Sequence, residues 1–167
     1  METKRAVILI FLCIVYAAAF GQSEYDKKLS SLYKNTVKKI KPAEVKKKID
    51  NQEKIILVDS RAREEFEVSH IKGAIFLDYD SYSIDDLKKL PVDQKIIVYC
   101  SVGYRSERIG EKLQRLGYKN VYNLYGGIFE WKNEGFSIVN KSGMPTDSVH
   151  TYNKSWSRWL TKGVKVY

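Results

Sequence analysis

The feature that most constrains the fold is a short apolar run that ends in a cysteine and is followed by a helical pattern. The run Lys95–Tyr99 is β-branched and almost continuously apolar. Such a run is typical of a parallel strand that is buried on both faces. Apolar residues then recur at helical steps from Ile109, and Gly117 provides a stop signal. The sequence therefore predicts a strand–turn–helix unit with Cys100 at the carboxyl end of the strand.

Cys100 occupies a position that suits a nucleophile. Ligands of open α/β sheets bind at the carboxyl ends of the strands, where a helix N-terminus offers free N–H groups and partial positive charge. That terminus and Arg105 both favour the thiolate, which is the reactive form of cysteine. Gly103 allows the backbone to curl around the sulfur. The alternative interpretation is a buried structural cysteine, which is a common role for free cysteine.

Apolar runs and helical patterns alternate along the rest of the chain. Strands are predicted at residues 54–58, 74–77 and 121–124, and helices at 42–49, 62–68, 84–90 and 128–135. This alternation indicates one α/β domain with a parallel sheet covered by helices on both faces. We place the domain at residues 42–140, after a basic and loosely structured N-terminal segment at residues 22–41.

The N-terminus has the pattern of a secretory signal peptide. Lys4 and Arg5 precede an apolar stretch at residues 6–20, which is shorter than the roughly 20 residues that a transmembrane helix needs. Residues 1–21 are therefore predicted to be a signal peptide, and the mature protein to be periplasmic or extracellular without a stable membrane span. An uncleaved segment would instead tether the protein to the membrane. A lipid anchor at Cys13 is a minor alternative because no lipobox surrounds that residue.

Removal of this segment would leave Cys100 as the lone cysteine, so no disulfide could form within the chain. A single thiol in an exported protein is exposed to oxidation, and its retention indicates a use. The formal charge of +9 favours anionic small molecules or anionic membrane surfaces. Because the lysines are scattered rather than interleaved with aromatic residues, no nucleic-acid partner is predicted. The sequence does not report the oligomeric state.

Three further segments contain sequence motifs, and these motifs occur in order along the predicted domain. They read VDSR at 58–61 with SHIKGAI at 69–75, YCSVGYRS at 99–106, and NVYNLYGGI at 120–128 with a tryptophan at 131. Together these segments resemble the rhodanese family of sulfurtransferases in its small single-domain form. The resemblance implies a rhodanese-like parallel sheet flanked by helices on both faces.

The resemblance also implies a persulfide mechanism. The Cys100 thiolate would attack the outer sulfur of thiosulfate or a similar anionic donor, and cyanide or a thiol would then accept that sulfur. Neither a metal nor an organic cofactor is required. Backbone N–H groups of the loop can hold the sulfur, and a guanidinium suits a sulfonate group. The predicted substrate-binding residues are Ser101, Val102, Gly103, Tyr104, Arg105 and Ser106.

Loop length separates this prediction from the related cell-cycle phosphatases. Those enzymes carry one more residue between cysteine and arginine, whereas four residues separate Cys100 from Arg105 here. The tighter loop suits a single sulfur better than a tetrahedral phosphate, so phosphatase or arsenate reductase activity is disfavoured. Many thiosulfate-using members carry a basic residue where this chain has Ser101. A second class of function stays open, namely a non-catalytic rhodanese-fold module that binds or senses an anion or a partner.

Asp59, Arg61 and His70 are interpreted as structural rather than as members of a catalytic triad. Asp59 and Arg61 are expected to form an ion pair that fixes the loop after a strand. His70 is expected to act as a hydrogen-bonding strut.

Residues 141–167 extend beyond the resemblance to the rhodanese family. Their larger apolar residues recur at helical spacing, which predicts an added C-terminal helix that packs on the domain. The face of this helix would consist of Val149, Tyr152, Trp156, Trp159 and Leu160. A docking face for a partner is the alternative.

Overall fold

A computed structural model of the chain describes residues 24–167. The chain divides into two units after Leu32, and residues 24–32 of the first unit are helical (α1). The predicted signal peptide lies outside the described residues. Among the residues described, no helix is long and apolar enough to cross a membrane.

A five-stranded parallel sheet lies at the centre of the second unit, residues 33–167. Its strands are β1 Lys38–Ile40, β2 Ile55–Asp59, β3 Ile75–Phe76, β4 Lys95–Tyr99 and β5 Val121–Leu124. They pair in the order β1-β5-β4-β2-β3, and every pair is parallel. The apolar strand β4 lies in the middle, which explains why residues 96–99 are buried.

Five helices connect and cover these strands. They are α2 Pro42–Asp50, α3 Arg63–Val68, α4 Ile84–Lys88, α5 Tyr104–Arg115 and α6 Gly127–Asn133. Pro42 opens α2 at a position that needs no N–H donor, and Ser83 caps α4 through a reciprocal bond with Asp86. On α5, Ile109 and Leu113 are fully buried. The predicted α/β class and the parallel sheet with flanking helices are thereby confirmed.

The N-terminal segment is more ordered than its sequence indicated. Within residues 22–41, which were expected to be loose, the structure contains α1 and the edge strand β1. Lys38 and Lys39 are exposed while Ile40 is buried, so β1 has no apolar run that would announce a strand. Charged lysines are common on edge strands because they discourage pairing with another chain.

The chain from residue 138 onward contains short strands as well as a helix. Strand β6 Ile138–Val139 pairs antiparallel with β7 Pro145–Thr146, and β8 Ser148–His150 pairs in parallel with β9 Val164–Val166. The helix α7 spans only Lys154–Ser157. The prediction of one helical face from Val149 to Leu160 is therefore wrong. Val149 lies in β8, and Tyr152 has a left-handed backbone with φ of 65°, which a helix does not accept.

Candidate active site

Cys100 follows the last residue of the central strand β4 and is 1% exposed. The Gly103 N–H donates a hydrogen bond to its Sγ at 3.1 Å. Helix α5 begins at the next residue, Tyr104, so the sulfur lies in the turn that leads into a helix N-terminus. Unpaired N–H groups and the helix dipole stabilise negative charge at such a position. Cys100 therefore lies in the strand–turn–helix unit that the sequence predicts.

The carbonyl groups of the loop are all bound by groups outside it. The carbonyls of residues 100 and 101 accept hydrogen bonds from the Ile128 and Phe129 N–H groups at 2.9 and 3.1 Å. The Val102 carbonyl accepts from the Tyr33 hydroxyl at 2.6 Å, and the carbonyl of residue 103 from Asn123 Nδ2 at 2.9 Å. These bonds satisfy the partially negative oxygens away from the sulfur. Of the peptide N–H groups in the loop, that of Gly103 donates to the sulfur.

Two glycines make this arrangement sterically feasible. Gly103 has φ of 97°, and a Cβ atom there would collide with the Tyr33 ring. Gly127 has φ of 58°, and a Cβ atom there would collide with the Cys100 carbonyl. Each position requires both a left-handed backbone and the absence of a side chain. Gly127 also allows the start of α6 to approach the nucleophile closely.

Tyr33 is a site residue that the sequence interpretation missed. Its buried hydroxyl donates to the Val102 carbonyl and accepts the Gly126 N–H at 3.0 Å. Burial raises the pKa of this phenol, which keeps it neutral and able to donate. The following backbone is fixed to α5, because Glu107 accepts the Lys34 and Thr36 N–H groups at 2.9 and 3.0 Å.

Ser106 connects Cys100 to the neighbouring strand β5. Its hydroxyl donates to Asn123 Oδ1 at 2.7 Å and lies 3.7 Å from Cys100 Sγ. Since a serine hydroxyl has one hydrogen, Ser106 can donate either to Asn123 Oδ1 or to Cys100 Sγ, but not to both at once. Asn123 Nδ2 also donates to the loop carbonyl at residue 103, so this one buried amide binds both Ser106 and the loop backbone.

Arg105 forms a forked ion pair with Glu65 of α3. Its Nη1 and Nη2 atoms donate to the two carboxylate oxygens at 2.7 and 2.9 Å. The Ser101 hydroxyl donates to the same carboxylate at 2.7 Å and accepts from Arg105 Nη2 at 3.1 Å. The Ala62 N–H adds a further bond to Glu65 at 3.1 Å. Four donors therefore surround a carboxylate that is only 2% exposed.

The electrostatics of this pair favour charge on both partners. Burial by itself disfavours the Glu65 carboxylate, but the hydrogen bond and the charge of Arg105 outweigh it, so the pKa of Glu65 lies below its usual value. Burial also opposes the guanidinium charge. The hydrogen bond to Glu65 and the electrostatic interaction with Cys100 outweigh this effect, so the pKa of Arg105 lies above its usual value. Arg105 therefore lies close enough to Cys100 to interact with the sulfur electrostatically.

The predicted substrate-binding residues differ in their access to solvent. Ser101, Val102, Gly103 and Ser106 are buried, Arg105 is partly buried and Tyr104 is 44% exposed. The C-terminal extension contributes Tyr152, whose ring centroid lies 5.7 Å from Arg105 Cζ and whose side chain is exposed. Sequence reasoning assigned Tyr152 to a helical face and did not connect it with Arg105.

Asp59, Arg61 and His70 connect secondary-structure elements. Arg61 Nε and Nη2 donate to the two oxygens of Asp59 at 2.9 and 2.7 Å, and Nη2 also donates to the Ser69 carbonyl. His70 Nδ1 lies 3.0 Å from the Phe66 carbonyl. These contacts join the end of β2 to the C-terminal end of α3, the helix that presents Glu65. In the described part of the chain, no group of three His, Cys, Asp or Glu side chains is placed to hold a metal ion.

Comparison with known sequences identifies proteins that this chain is similar to. A family model described as "Rhodanese-like domain" matches residues 41–134. The adenylyltransferase and sulfurtransferase UBA4 of Candida albicans is 31% identical over 62% of this chain and 25% of its own length. A tRNA uridine(34) hydroxylase of Erwinia tasmaniensis is 34% identical over 64% of this chain and 30% of its own length. The chain thus spans between a quarter and a third of these curated relatives.

Two solved structures share this fold over the part of the chain that they match. A rhodanese-like domain protein from Staphylococcus aureus is 28% identical with a TM-score of 0.56, and the match covers 62% of this chain and 98% of that protein. The BH2092 protein from Bacillus halodurans is 26% identical with a TM-score of 0.58, and the match covers 73% of this chain and 88% of that protein.

Proposed function

The chain belongs to the rhodanese-like domain family, and from that premise we propose that Cys100 carries a sulfane sulfur as a persulfide between a donor and an acceptor. The observation that carries this proposal is the position of Sγ, which receives the Gly103 N–H at 3.1 Å directly before the N-terminus of α5. The sulfurtransferase named among the relatives supports the same chemistry.

The first half-reaction loads sulfur onto the protein from thiosulfate or a similar anionic donor. The Cys100 thiolate attacks the outer sulfur of thiosulfate, a new S–S bond forms, and the bond to the sulfonyl sulfur breaks. Sulfite leaves with the electron pair of that bond, and the protein retains a persulfide anion. The Gly103 N–H stabilises the thiolate before the attack, as preorganised donors do in an oxyanion hole.

The second half-reaction returns the thiolate. A thiophilic acceptor, cyanide or a thiol, attacks the outer sulfur of the Cys100 persulfide, and the S–S bond breaks toward the protein. With cyanide the product is thiocyanate, which makes thiosulfate:cyanide sulfurtransferase activity the natural assay. A small anionic donor fits the positive charge of the chain, which attracts anions generally.

We also propose that the protein is exported. This proposal rests on the basic start and the apolar stretch of residues 1–21, which match a signal peptide. N-terminal sequencing of the protein from periplasmic or culture fractions tests it, because cleavage near residue 20 is expected. Recovery of the full N-terminus in the membrane fraction would instead indicate a tether.

Intact-mass measurement of the reduced protein before and after thiosulfate tests sulfur transfer. We expect one added sulfur atom that departs as thiocyanate when cyanide is added, and no addition to Cys100→Ser. Ser106→Ala is a second variant, because it leaves the thiol in place and removes only the hydroxyl beside it. If the folded wild-type protein gains no sulfur from thiosulfate or from other sulfane donors, the chain is better described as a binding or sensing module.

A further inference from the structure

On the basis of the proposed function, we infer that Glu65 is a specificity-determining residue that selects sulfur donors by their charge. The site favours donors with one negative charge over dianions such as thiosulfate. Arg105, which interacts electrostatically with Cys100, does not face the donor alone. Both of its Nη atoms donate to the Glu65 carboxylate.

Within the network of Cys100, Arg105 and Glu65, the formal charges sum to one negative charge. The Cys100 thiolate and the Glu65 carboxylate each carry one negative charge, and Arg105 carries one positive charge. An incoming dianion therefore meets twice the repulsion that a monoanion meets. Coulomb interactions near a protein surface are only partly screened, so one carboxylate beside the reacting groups is sufficient to change donor preference.

A donor cannot readily displace this carboxylate from Arg105. Glu65 is buried and also accepts bonds from the Ser101 hydroxyl and the Ala62 N–H, which an incoming anion would have to replace. The carboxylate stays ionised at neutral pH, since its surroundings lower its pKa. The countercharge to Arg105 is thus a fixed part of the protein.

The residue after the nucleophile strengthens this preference. A basic side chain at that position would add a second cation and restore attraction for a dianion. Ser101 instead donates its hydrogen to Glu65 and holds the carboxylate in place. The overall positive charge of the chain draws all anions toward the protein. The Glu65–Arg105 pair then discriminates against the second negative charge of a dianionic donor.

Two donors isolate this effect because they share one mechanism. Thiosulfate is a dianion that releases sulfite, and methanethiosulfonate is a monoanion that releases methanesulfinate. In both cases the Cys100 thiolate takes the terminal sulfur, the bond from that sulfur to the sulfonyl sulfur breaks, and the leaving group keeps the electron pair. Dividing each rate by the rate with cysteamine, whose thiolate and ammonium match Cys100 and Arg105 without Glu65, removes the difference in intrinsic donor reactivity.

The experiment measures the second-order rate of persulfide formation with each donor, by intact mass, in the wild type, Glu65→Gln and Glu65→Asp. In the wild type, the normalised rate is expected to be higher for methanethiosulfonate. Glu65→Gln should raise the ratio of thiosulfate to methanethiosulfonate rates by about tenfold, which corresponds to roughly 1.4 kcal/mol. Glu65→Asp disturbs the fork but keeps the charge, so the ratio should change little.

Glu111→Gln is the matched control. Glu111 also pairs with an arginine, Arg108, at 2.9 Å on α5, and its substitution removes the same formal charge. An equal rise of the ratio in Glu111→Gln would overturn the assignment to Glu65. A ratio that stays constant in Glu65→Gln, or a normalised wild-type preference for thiosulfate, would also overturn it.

The wild-type measurement keeps the inference testable even if Glu65→Gln does not fold. Different outcomes contradict the role of Glu65 and the sulfur-transfer function. If both donors load Cys100 but the wild type favours the dianion, the inference about Glu65 is wrong while sulfur transfer stands. If neither donor loads Cys100, the proposed function fails and the inference falls with it.

Discussion

Two arginine–carboxylate pairs of this protein have similar geometry but very different surroundings. Both side chains of the Asp59–Arg61 pair are fully enclosed, with 0% exposure. In the Glu65–Arg105 pair the carboxylate is 2% exposed, while the guanidinium keeps 16% exposure. The first pair joins β2 to the carbonyl of Ser69 after α3. The enclosed pair can therefore act only through the fold.

The second pair lies at the boundary between the domain core and the reacting sulfur. Arg105 interacts electrostatically with Cys100 on one side and with the exposed ring of Tyr152 on another. The charges of Glu65 and Arg105 can thus act on a bound donor without any change of fold. The role of a buried ion pair therefore depends on the groups that contact its exposed side as well as on its own geometry.

The largest expected effect breaks the enclosed pair. Arg61→Met leaves the Asp59 carboxylate buried without its partner, which should lower the free energy of unfolding by about 3–5 kcal/mol. Arg105→Met should cost less, about 1–3 kcal/mol, because that pair borders solvent and Glu65 keeps the Ser101 and Ala62 donors. Urea unfolding followed by circular dichroism measures both values.

Equal losses in these two variants would contradict the distinction between an enclosed and an open pair. Arg61→Lys provides an intermediate variant if Arg61→Met does not fold, because it keeps the charge but loses the planar fork of donors. Its loss of stability should lie between that of Arg61→Met and zero.

The two pairs also show how far sequence reasoning reaches. Asp59 and Arg61 are two residues apart at the end of an apolar run, so local geometry was sufficient to predict their ion pair. Glu65 and Arg105 are 40 residues apart, and they meet because β2 and β4 are neighbours in the sheet. Without that topology, Arg105 could be interpreted only as an anion-binding residue.

The same limit applies to the fold. The bounds of β4 and β5 agree with the prediction, because buried parallel strands are continuous apolar runs. Tyr33 was missed because it lies in a basic segment and contacts Val102, 69 residues away. The apolar spacing from Val149 to Leu160 misled because a short periodic pattern does not reveal whether the backbone continues as a helix through Tyr152.

Acidification should open the second pair selectively. The pKa of Glu65 in the folded protein lies below its usual value of 4.5, because the bond and charge of Arg105 overcome the effect of burial. The stability that this pair adds is therefore complete above pH 4.5 and is lost as the pH falls through the lowered pKa. Urea unfolding between pH 7 and pH 3 should show a steeper decline in the wild type than in Glu65→Gln. Parallel curves for the two proteins would contradict this assignment.

Tyr33→Phe tests the uncharged support of the loop, which neither ion pair supplies. The variant removes the hydroxyl that donates to Val102 and accepts from Gly126, and it should cost about 1 kcal/mol. Because the loop then holds the sulfur less well, alkylation of Cys100 by iodoacetamide should slow by roughly threefold to tenfold. The rate is measured by intact mass at pH 7.

Tyr118→Phe is the matched control for this variant. The Tyr118 hydroxyl is also buried and lies 2.8 Å from the carbonyls of both Leu87 and Leu90. Its removal should cost a similar amount of stability and leave the alkylation rate of Cys100 unchanged. If both variants slow alkylation equally, the effect of Tyr33 reflects general stability rather than support of the loop.

The smallest expected effect separates charge from hydrogen bonding within the open pair. Ser101→Ala removes the hydroxyl that donates to Glu65 and accepts from Arg105, but the charges of Glu65 and Arg105 stay in place. We expect a loss of about 0.5–1.5 kcal/mol in the free energy of unfolding. The ratio of thiosulfate to methanethiosulfonate rates should stay within about twofold of the wild-type value, because that ratio responds to the carboxylate charge. A change as large as that of Glu65→Gln would show that the hydrogen-bond geometry of the pair, and not its charge, selects the donor.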